Sequence, residues 1–212
     1  MEAFDKLLDA TRQVIAEGLE CVDGQIPELA TLHELVSTPP DVQPSRPGGL
    51  ERTRGLLPTC VELAQTDLDR QLARALLDAA PYLHWASPYD EYEGGELIEP
   101  LWREYICTLL LGPQPFRRYR GAFRQERVLV AFSLQSPGVY YPPHSHLARE
   151  IYHVICGRSD WQCGEEWSVR DSGDWIFHPS EVHHAMRTYD EPLLAMAAWI
   201  DGLDETSLTV HH

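Results

Sequence analysis

The first part of the chain carries hydrophobic residues at helical spacing. Between charged positions, apolar side chains recur every three to four residues, as on one face of an amphipathic helix. Three such helices are predicted, over residues 4–19, 28–36 and 59–77. A stretch rich in proline and glycine separates the second helix from the third and indicates a loop.

The hydrophobic period changes to two at Arg127. Apolar residues then alternate along the chain, beginning with Val128, Val130, Phe132 and Leu134, as in strands with one buried face. Turn residues interrupt this pattern roughly every eight to ten residues, which is typical of an antiparallel sandwich or barrel. The sequence therefore predicts a mainly β protein, with a β-barrel over residues 115–212 and a helical N-terminal extension over residues 1–114.

Composition restricts the possible functions. The 212 residues include 43% hydrophobic residues, enough for one packed domain. The net charge of −16 argues against binding to nucleic acid or to an anionic membrane, because both partners attract basic surfaces. The five cysteines are widely spaced, and no apolar run is long enough to span a membrane. We expect a cytoplasmic protein with free thiols, either a monomer or a homodimer.

Side chains that can bind a metal ion cluster within the β region. The first stretch reads His-x-His-x3-Glu-x-Tyr-x4-Gly, from His144 to Gly157. On a strand, His144 and His146 would point the same way, and two imidazoles with a carboxylate suit a divalent first-row metal. A second stretch reads Gly-x5-Pro-x4-His, from Gly173 to His184, and offers His184 as a further ligand.

Such a mixed nitrogen and oxygen ligand set leaves positions open for water or substrate, as in catalytic sites. The ligands alone do not select among zinc, Fe(II) and Mn(II). Tyrosines are the other candidate groups. Tyr152 would share the face of Glu150, and Tyr141 would lie at the pocket mouth, where a nearby cation would lower the pKa of a phenol and permit it to act as a base.

The two motifs resemble the paired metal motifs of the cupin superfamily, which implies a single double-stranded β-helix (jelly-roll) barrel. More narrowly, the chain resembles the cupin-type dimethylsulfoniopropionate (DMSP) lyases of the DddQ group. The resemblance is carried by Trp199 on the last predicted strand together with Tyr141, His144, His146, Glu150, Tyr152 and His184.

That resemblance implies a role for each matching position. The metal ligands would be His146, Glu150, His184 and the hydroxyl of Tyr152, with His144 as a ligand or a near neighbour. Tyr141 would be the general base, and the aromatic faces that could hold the sulfonium group belong to Tyr140, Tyr152 and Trp199, with Tyr89 and Trp102 as further candidates. We therefore predict that Tyr141 and Tyr152 are catalytic and that Tyr140, His144 and Trp199 bind substrate.

The implied reaction is metal-dependent cleavage of DMSP to dimethyl sulfide and acrylate. Two other functions remain open at this point. A cupin dioxygenase acting on a small acid or thiol would use a similar metal site with oxygen, and a non-catalytic cupin would bind a small molecule without turnover.

Overall fold

The computed structural model describes residues 2–22, 24–38, 40–42, 48–49, 54–87, 99–113, 116, 119–203 and 209–210. The helices are α1 (Glu2–Cys21), α2 (Glu28–Ser37), α3 (Leu57–Leu63), α4 (Asp67–Ala79) and α5 (Glu99–Glu104), with a 3₁₀ turn at Ala80–Tyr82. Among the described residues, no helix is both long enough and apolar enough to cross a bilayer.

The long helix predicted over residues 59–77 is two helices in the structure. Ala64 leaves the helical conformation at the end of α3, and Thr66 begins α4 as its N-cap. The Thr66 hydroxyl accepts a hydrogen bond from the Asp69 N–H at 3.0 Å, which satisfies one of the free donors at the start of a helix. A continuous hydrophobic stripe therefore concealed a break that the capping residue produces.

Fourteen strands follow or interleave with these helices in the described part of the chain. In the first half they are β1 (Asp41–Val42), β2 (Gly48–Gly49), β3 (His84–Ala86), β4 (Tyr105–Gly112), β5 (Phe123–Arg124), β6 (Val128–Gln135) and β7 (Tyr140–Ser145). The remainder are β8 (Arg149–Cys156), β9 (Ser159–Cys163), β10 (Glu166–Arg170), β11 (Trp175–His178), β12 (His184–Thr188), β13 (Leu193–Ile200) and β14 (Thr209–Val210).

The strands form two sheets. The large sheet runs β1-β5-β4-β6-β13-β8-β11, with β3 beside β4 and β2 beside β3, and the small sheet runs β10-β9-β12-β7-β14. Strands β3 and β4 join the large sheet although the sequence places them in the helical segment. The division of the chain near residue 114 stays a prediction.

Alternation along the strands creates two apolar layers. On β8, Ile151 and Ile155 face the helices and join the core that α1 to α4 share with the large sheet. Tyr152 and Val154 face the other way and pack with residues of the small sheet, such as Trp161 and Met186. This two-sheet arrangement behind N-terminal helices is the predicted mainly β fold, and it leaves the interior between the sheets available for a site.

Candidate metal centre

Three of the predicted ligands meet in the interior between the two sheets. Donor atoms of His146, Glu150 and His184 all lie within 4.8 Å of one another, and all three side chains are buried. The Nε2 atoms of His146 and His184 lie 3.0 and 3.1 Å from Glu150 Oε2. His146 follows β7 and His184 begins β12, and both imidazoles approach the same carboxylate oxygen of Glu150 on β8.

Backbone carbonyls fix the orientation of the imidazoles. The Nδ1 atoms of His146 and His184 lie 3.0 and 2.9 Å from the carbonyl oxygens of Ala148 and Val182. A carbonyl oxygen can only accept a hydrogen bond, so Nδ1 carries the hydrogen and Nε2 is directed toward the cluster, the tautomer that a metal ligand requires.

The donor set fits a divalent cation. His184 Nε2 is buried and forms no hydrogen bond with any residue that the structure describes, and leaving such an atom unsatisfied in a protein interior is costly. A cation bound to His146, Glu150 and His184 would satisfy it with ordinary nitrogen and carboxylate ligands. Burial raises the pKa of the Glu150 carboxyl, but the attraction of the neighbouring histidines, His146 first, outweighs that effect and holds the pKa well below its usual value. The carboxylate is therefore ionised and ready to bind a cation.

The large sheet holds Glu150 from both sides. Strand β8 lies between β13 and β11, so the cross-strand neighbours of Glu150 are Trp199 and His178. The Trp199 Nε1–H donates to Glu150 Oε1 at 2.6 Å, and His178 Nδ1 lies 4.0 Å from Oε2. Trp199 was predicted to offer an aromatic face, and the structure adds a hydrogen bond that positions the carboxylate.

Sequence reasoning missed His178. Its ring stacks on that of His184 with 4.3 Å between centroids, and neither ring nitrogen forms a hydrogen bond within the described part of the chain. Burial lowers the pKa of His178 to about 4, so the ring is neutral near pH 7. The sequence feature that could have identified His178 is its position directly before Pro179 in the second motif.

Tyr141 and His144 lie against each other beside this cluster. Their rings are parallel, with 3.9 Å between centroids, and the His144 ring is 4.0 Å from that of His184. Residues three apart on a regular strand face opposite ways, but the pairing of β7 with β12 shifts register between these positions. The bulge places both side chains on the interior face. Burial, followed by the charge of His184, lowers the pKa of His144 well below its usual value.

Tyr152 lies deeper in the same interior. Its ring is 4.8 Å from Trp161 and 5.8 Å from His178. Burial raises the pKa of Tyr152 well above its usual value, and the charge of Glu150 adds to the shift. In the metal-free protein this side chain is a neutral phenol beside the carboxylate.

Tyr140, which was predicted to bind substrate, is not among the residues that line this interior. Its side chain is 38% exposed, and its ring lies 6.5 Å from that of Trp167 on the outer face of the small sheet. The preceding position on β7 faces outward because Tyr141 faces inward. Tyr89 lies outside the described residues, as does the side chain of Trp102.

A mainly apolar cavity of about 90 Å³ opens beside the cluster. Several residues that line this cavity, on β4 and in the segment after it, were not predicted from the sequence to be part of the site. The lining residues are Tyr105, Cys107, Thr108, Leu109, Phe116, Tyr119, Leu129, Ala131, Tyr141, His144, His146, Glu150, Tyr152, Ala197 and Trp199. The alternate positions Tyr105, Cys107 and Leu109 were not recognised, because the intervening Ile106 and Leu110 are apolar too and hide the period of two.

Comparison with known proteins identifies the family of this chain. A family model described as dimethylsulfoniopropionate lyase matches residues 50–195. Dimethylsulfoniopropionate lyase DddQ of Ruegeria pomeroyi is 32% identical over 114 residues, which are 53% of this chain and 54% of that protein. The alignment thus spans about half the length of this curated relative.

Two solved structures share the fold over nearly the whole chain. A chain from the crystal structures of the DMSP lyases RdDddP and RnDddQII is 25% identical, with a TM-score of 0.76 and coverage of 100% of this chain and 98% of that one. The crystal structure of DMSP lyase DddQ from Ruegeria pomeroyi is 24% identical, with a TM-score of 0.73 and coverage of 94% and 95%. The family model matches most of the length of this chain, and the chain therefore belongs to the dimethylsulfoniopropionate lyase family.

Proposed function

We propose that this protein is a metal-dependent cytoplasmic lyase that cleaves DMSP to dimethyl sulfide and acrylate by β-elimination. The observation that carries the proposal is the position of Tyr141, which lines the same cavity as the cluster of His146, Glu150 and His184. A base and a binding site for a carboxylate are the two groups that removal of a proton next to that carboxylate requires.

The metal ligands would be His146, Glu150 and His184, with the Tyr152 hydroxyl as a fourth donor. The bound cation, whether zinc, Fe(II) or Mn(II), would supply Lewis acidity toward the substrate carboxylate and make the adjacent C–H more acidic. Trp199 would keep the Glu150 carboxylate in place while the substrate binds.

Tyr141 would remove the proton. Its phenolate oxygen takes the hydrogen from the carbon next to the carboxylate, and the electron pair of that C–H bond forms the new C=C bond. The C–S bond breaks and its pair leaves with sulfur, so neutral dimethyl sulfide and acrylate are the products. His144, stacked on the Tyr141 ring, would hold that ring in one orientation.

Aromatic walls would hold the sulfonium end of the substrate. Phe116, Tyr119 and Trp199 line the cavity, and cation–π attraction to each face is worth roughly 0.5–2 kcal/mol. The same walls exclude water from the proton transfer. Tyr140 has no part in this proposal because it faces away from the cavity.

The test is headspace gas chromatography of purified protein mixed with DMSP. The protein is first stripped with a chelator and then given Zn(II), Fe(II) or Mn(II). We expect release of dimethyl sulfide that depends on the added metal. If no metal supports release, the lyase proposal is wrong, and oxygen consumption with other small acids would point to a dioxygenase instead.

Two variants separate the base from the ligands. Tyr141→Phe should lower turnover by about 10²–10⁴-fold, the usual contribution of a positioned base, while bound metal measured by plasma mass spectrometry stays at the wild-type level. His184→Ala should lose metal and turnover together. Near-normal turnover in Tyr141→Phe would show that another group removes the proton.

A further inference from the structure

Strand β10 forms an open edge of the small sheet. It pairs with β9 on one side, and no other described strand pairs with its second side. All five of its residues are in register with β9, without a shift. The strand contains no proline, glycine, lysine or bulge, so several of the features that usually prevent an edge from pairing with another chain are missing. Its outer row of backbone N–H and C=O groups is available to a partner strand.

The sequence of this edge is complementary to itself. It reads Glu166-Trp167-Ser168-Val169-Arg170. If two copies pair antiparallel about Ser168, each Glu166 lies opposite an Arg170 of the other copy, and each Trp167 lies opposite a Val169. Opposite charges and aromatic–β-branched pairs are the cross-strand pairs that stabilise sheets. The adjacent symmetric registers, centred on Trp167 or Val169, lose both charge pairs.

Exposure of the two apolar side chains supports the same arrangement. Trp167 and Val169 are each 43% exposed on the outer face of the sheet. The Arg187 guanidinium lies 5.5 Å from the centre of the Trp167 ring, and the Tyr140 ring lies 6.5 Å away on the same face. Pairing through β10 would cover Val169 of each copy with the Trp167 ring of the other copy.

We propose that two copies of this chain associate through β10, in antiparallel register centred on Ser168. The two five-stranded sheets then become one continuous sheet, and a two-fold axis passes through Ser168. The contact is small, so the dimer should form in a concentration-dependent way. The net charge of −16 on each copy opposes association, but charges further apart than about 8 Å are largely screened at physiological salt. This proposal does not depend on the proposed reaction.

Charge reversal tests the register. Glu166→Arg and Arg170→Glu each replace two attractive pairs by two repulsive ones, and each should weaken dimerisation about tenfold or more. The double variant Glu166→Arg with Arg170→Glu exchanges the charges and should restore dimerisation to within about threefold of wild type. Dimerisation is measured by sedimentation over a concentration series, and thermal unfolding verifies that each variant is folded.

The alternative outcomes are distinct. A wild-type protein that stays monomeric over the series would overturn the proposal. A dimer that neither single variant weakens would place the interface elsewhere, and a double variant as weak as the singles would reject the register.

Disulfide trapping gives a second measurement that does not require the charge variants to fold. The background carries Cys21→Ser and Cys163→Ser, which remove the exposed thiols. In this background Ser168→Cys places two Cα atoms about 4.5–5.5 Å apart across the axis, within the range that a disulfide spans. The control Glu165→Cys lies about 20 Å from its mate. Mild oxidation should give covalent dimers of Ser168→Cys only, and equal trapping of both variants, or of neither, would contradict the register.

Discussion

Trp199→Phe isolates the contribution of one hydrogen bond to the metal centre. The substitution keeps an aromatic ring against His146, whose ring centroid is 4.1 Å from that of Trp199. It removes the N–H that donates to Glu150 Oε1 at 2.6 Å. The acceptor is an ionised and buried carboxylate, so the lost bond belongs to the stronger class, worth about 1.5–3 kcal/mol. That range corresponds to roughly 10- to 150-fold in an equilibrium constant.

Metal affinity is the quantity that should change. Loss of an outer hydrogen bond to a ligand usually lowers metal affinity about 10- to 100-fold, in agreement with the range from the bond itself. Competition against a chromogenic chelator measures the dissociation constant for Zn(II). The turnover of DMSP at saturating metal should fall much less, because the ligands and Tyr141 are unchanged.

Trp85→Phe is the matched control. Trp85 also loses an indole N–H bond, here to the Ala80 carbonyl at 3.3 Å, but it lies in the core between helices and sheet. This variant should bind metal as the wild type does. A change of less than about threefold in Trp199→Phe, or an equal change in both variants, would refute the view that Trp199 positions Glu150.

Three further predictions concern stability. Asp69 Oδ1 lies 2.5 Å from His153 Nε2, and both side chains are buried. Asp69→Ala removes this partner and should lower the free energy of unfolding, measured with denaturant, by about 3–5 kcal/mol. A loss below about 1 kcal/mol would show that the pair is dispensable. The pKa of His178 falls from 6.5 to about 4 on folding. As the pH falls, the unfolded chain therefore binds a proton at His178 before the folded protein does. The metal-free protein should therefore lose on the order of 3 kcal/mol as pH falls from about 6.5 to about 4, and His178→Gln should flatten that part of the stability curve. Glu181 has a φ of +62°, which is unfavourable for a residue with a side chain. Glu181→Gly should raise the free energy of unfolding by about 0.5–1 kcal/mol, and a decrease would mean that the carboxylate makes a compensating contact.

The sequence predicted the parts of the site that follow a simple period or a fixed motif. Glu150 and Tyr152 are two residues apart on one strand, so their common interior face followed from alternation alone. The spacing of the second motif placed His184 with them.

Other parts of the site depend on pairing between strands that the sequence does not reveal. The common face of Tyr141 and His144 requires a bulge in β7, and strict alternation would have separated them. The position of His178 opposite Glu150 requires the register of β11 against β8. The outward direction of Tyr140 could not be predicted for the same reason, since an aromatic residue beside a motif does not indicate which face of the strand it occupies.

The register of β8 connects the helical segment to the metal centre. Glu150 and Tyr152 face the interior, and the next residue, His153, faces the helices and meets Asp69 of α4 in a buried pair. Asp69 is itself held by the Thr66 hydroxyl that caps the helix. A slip of β8 by one residue would break this pair and turn Glu150 away from His146 and His184 at the same time. The helices therefore do more than cover one face of the sheet, because the buried Asp69–His153 contact between α4 and β8 favours the register that forms the site.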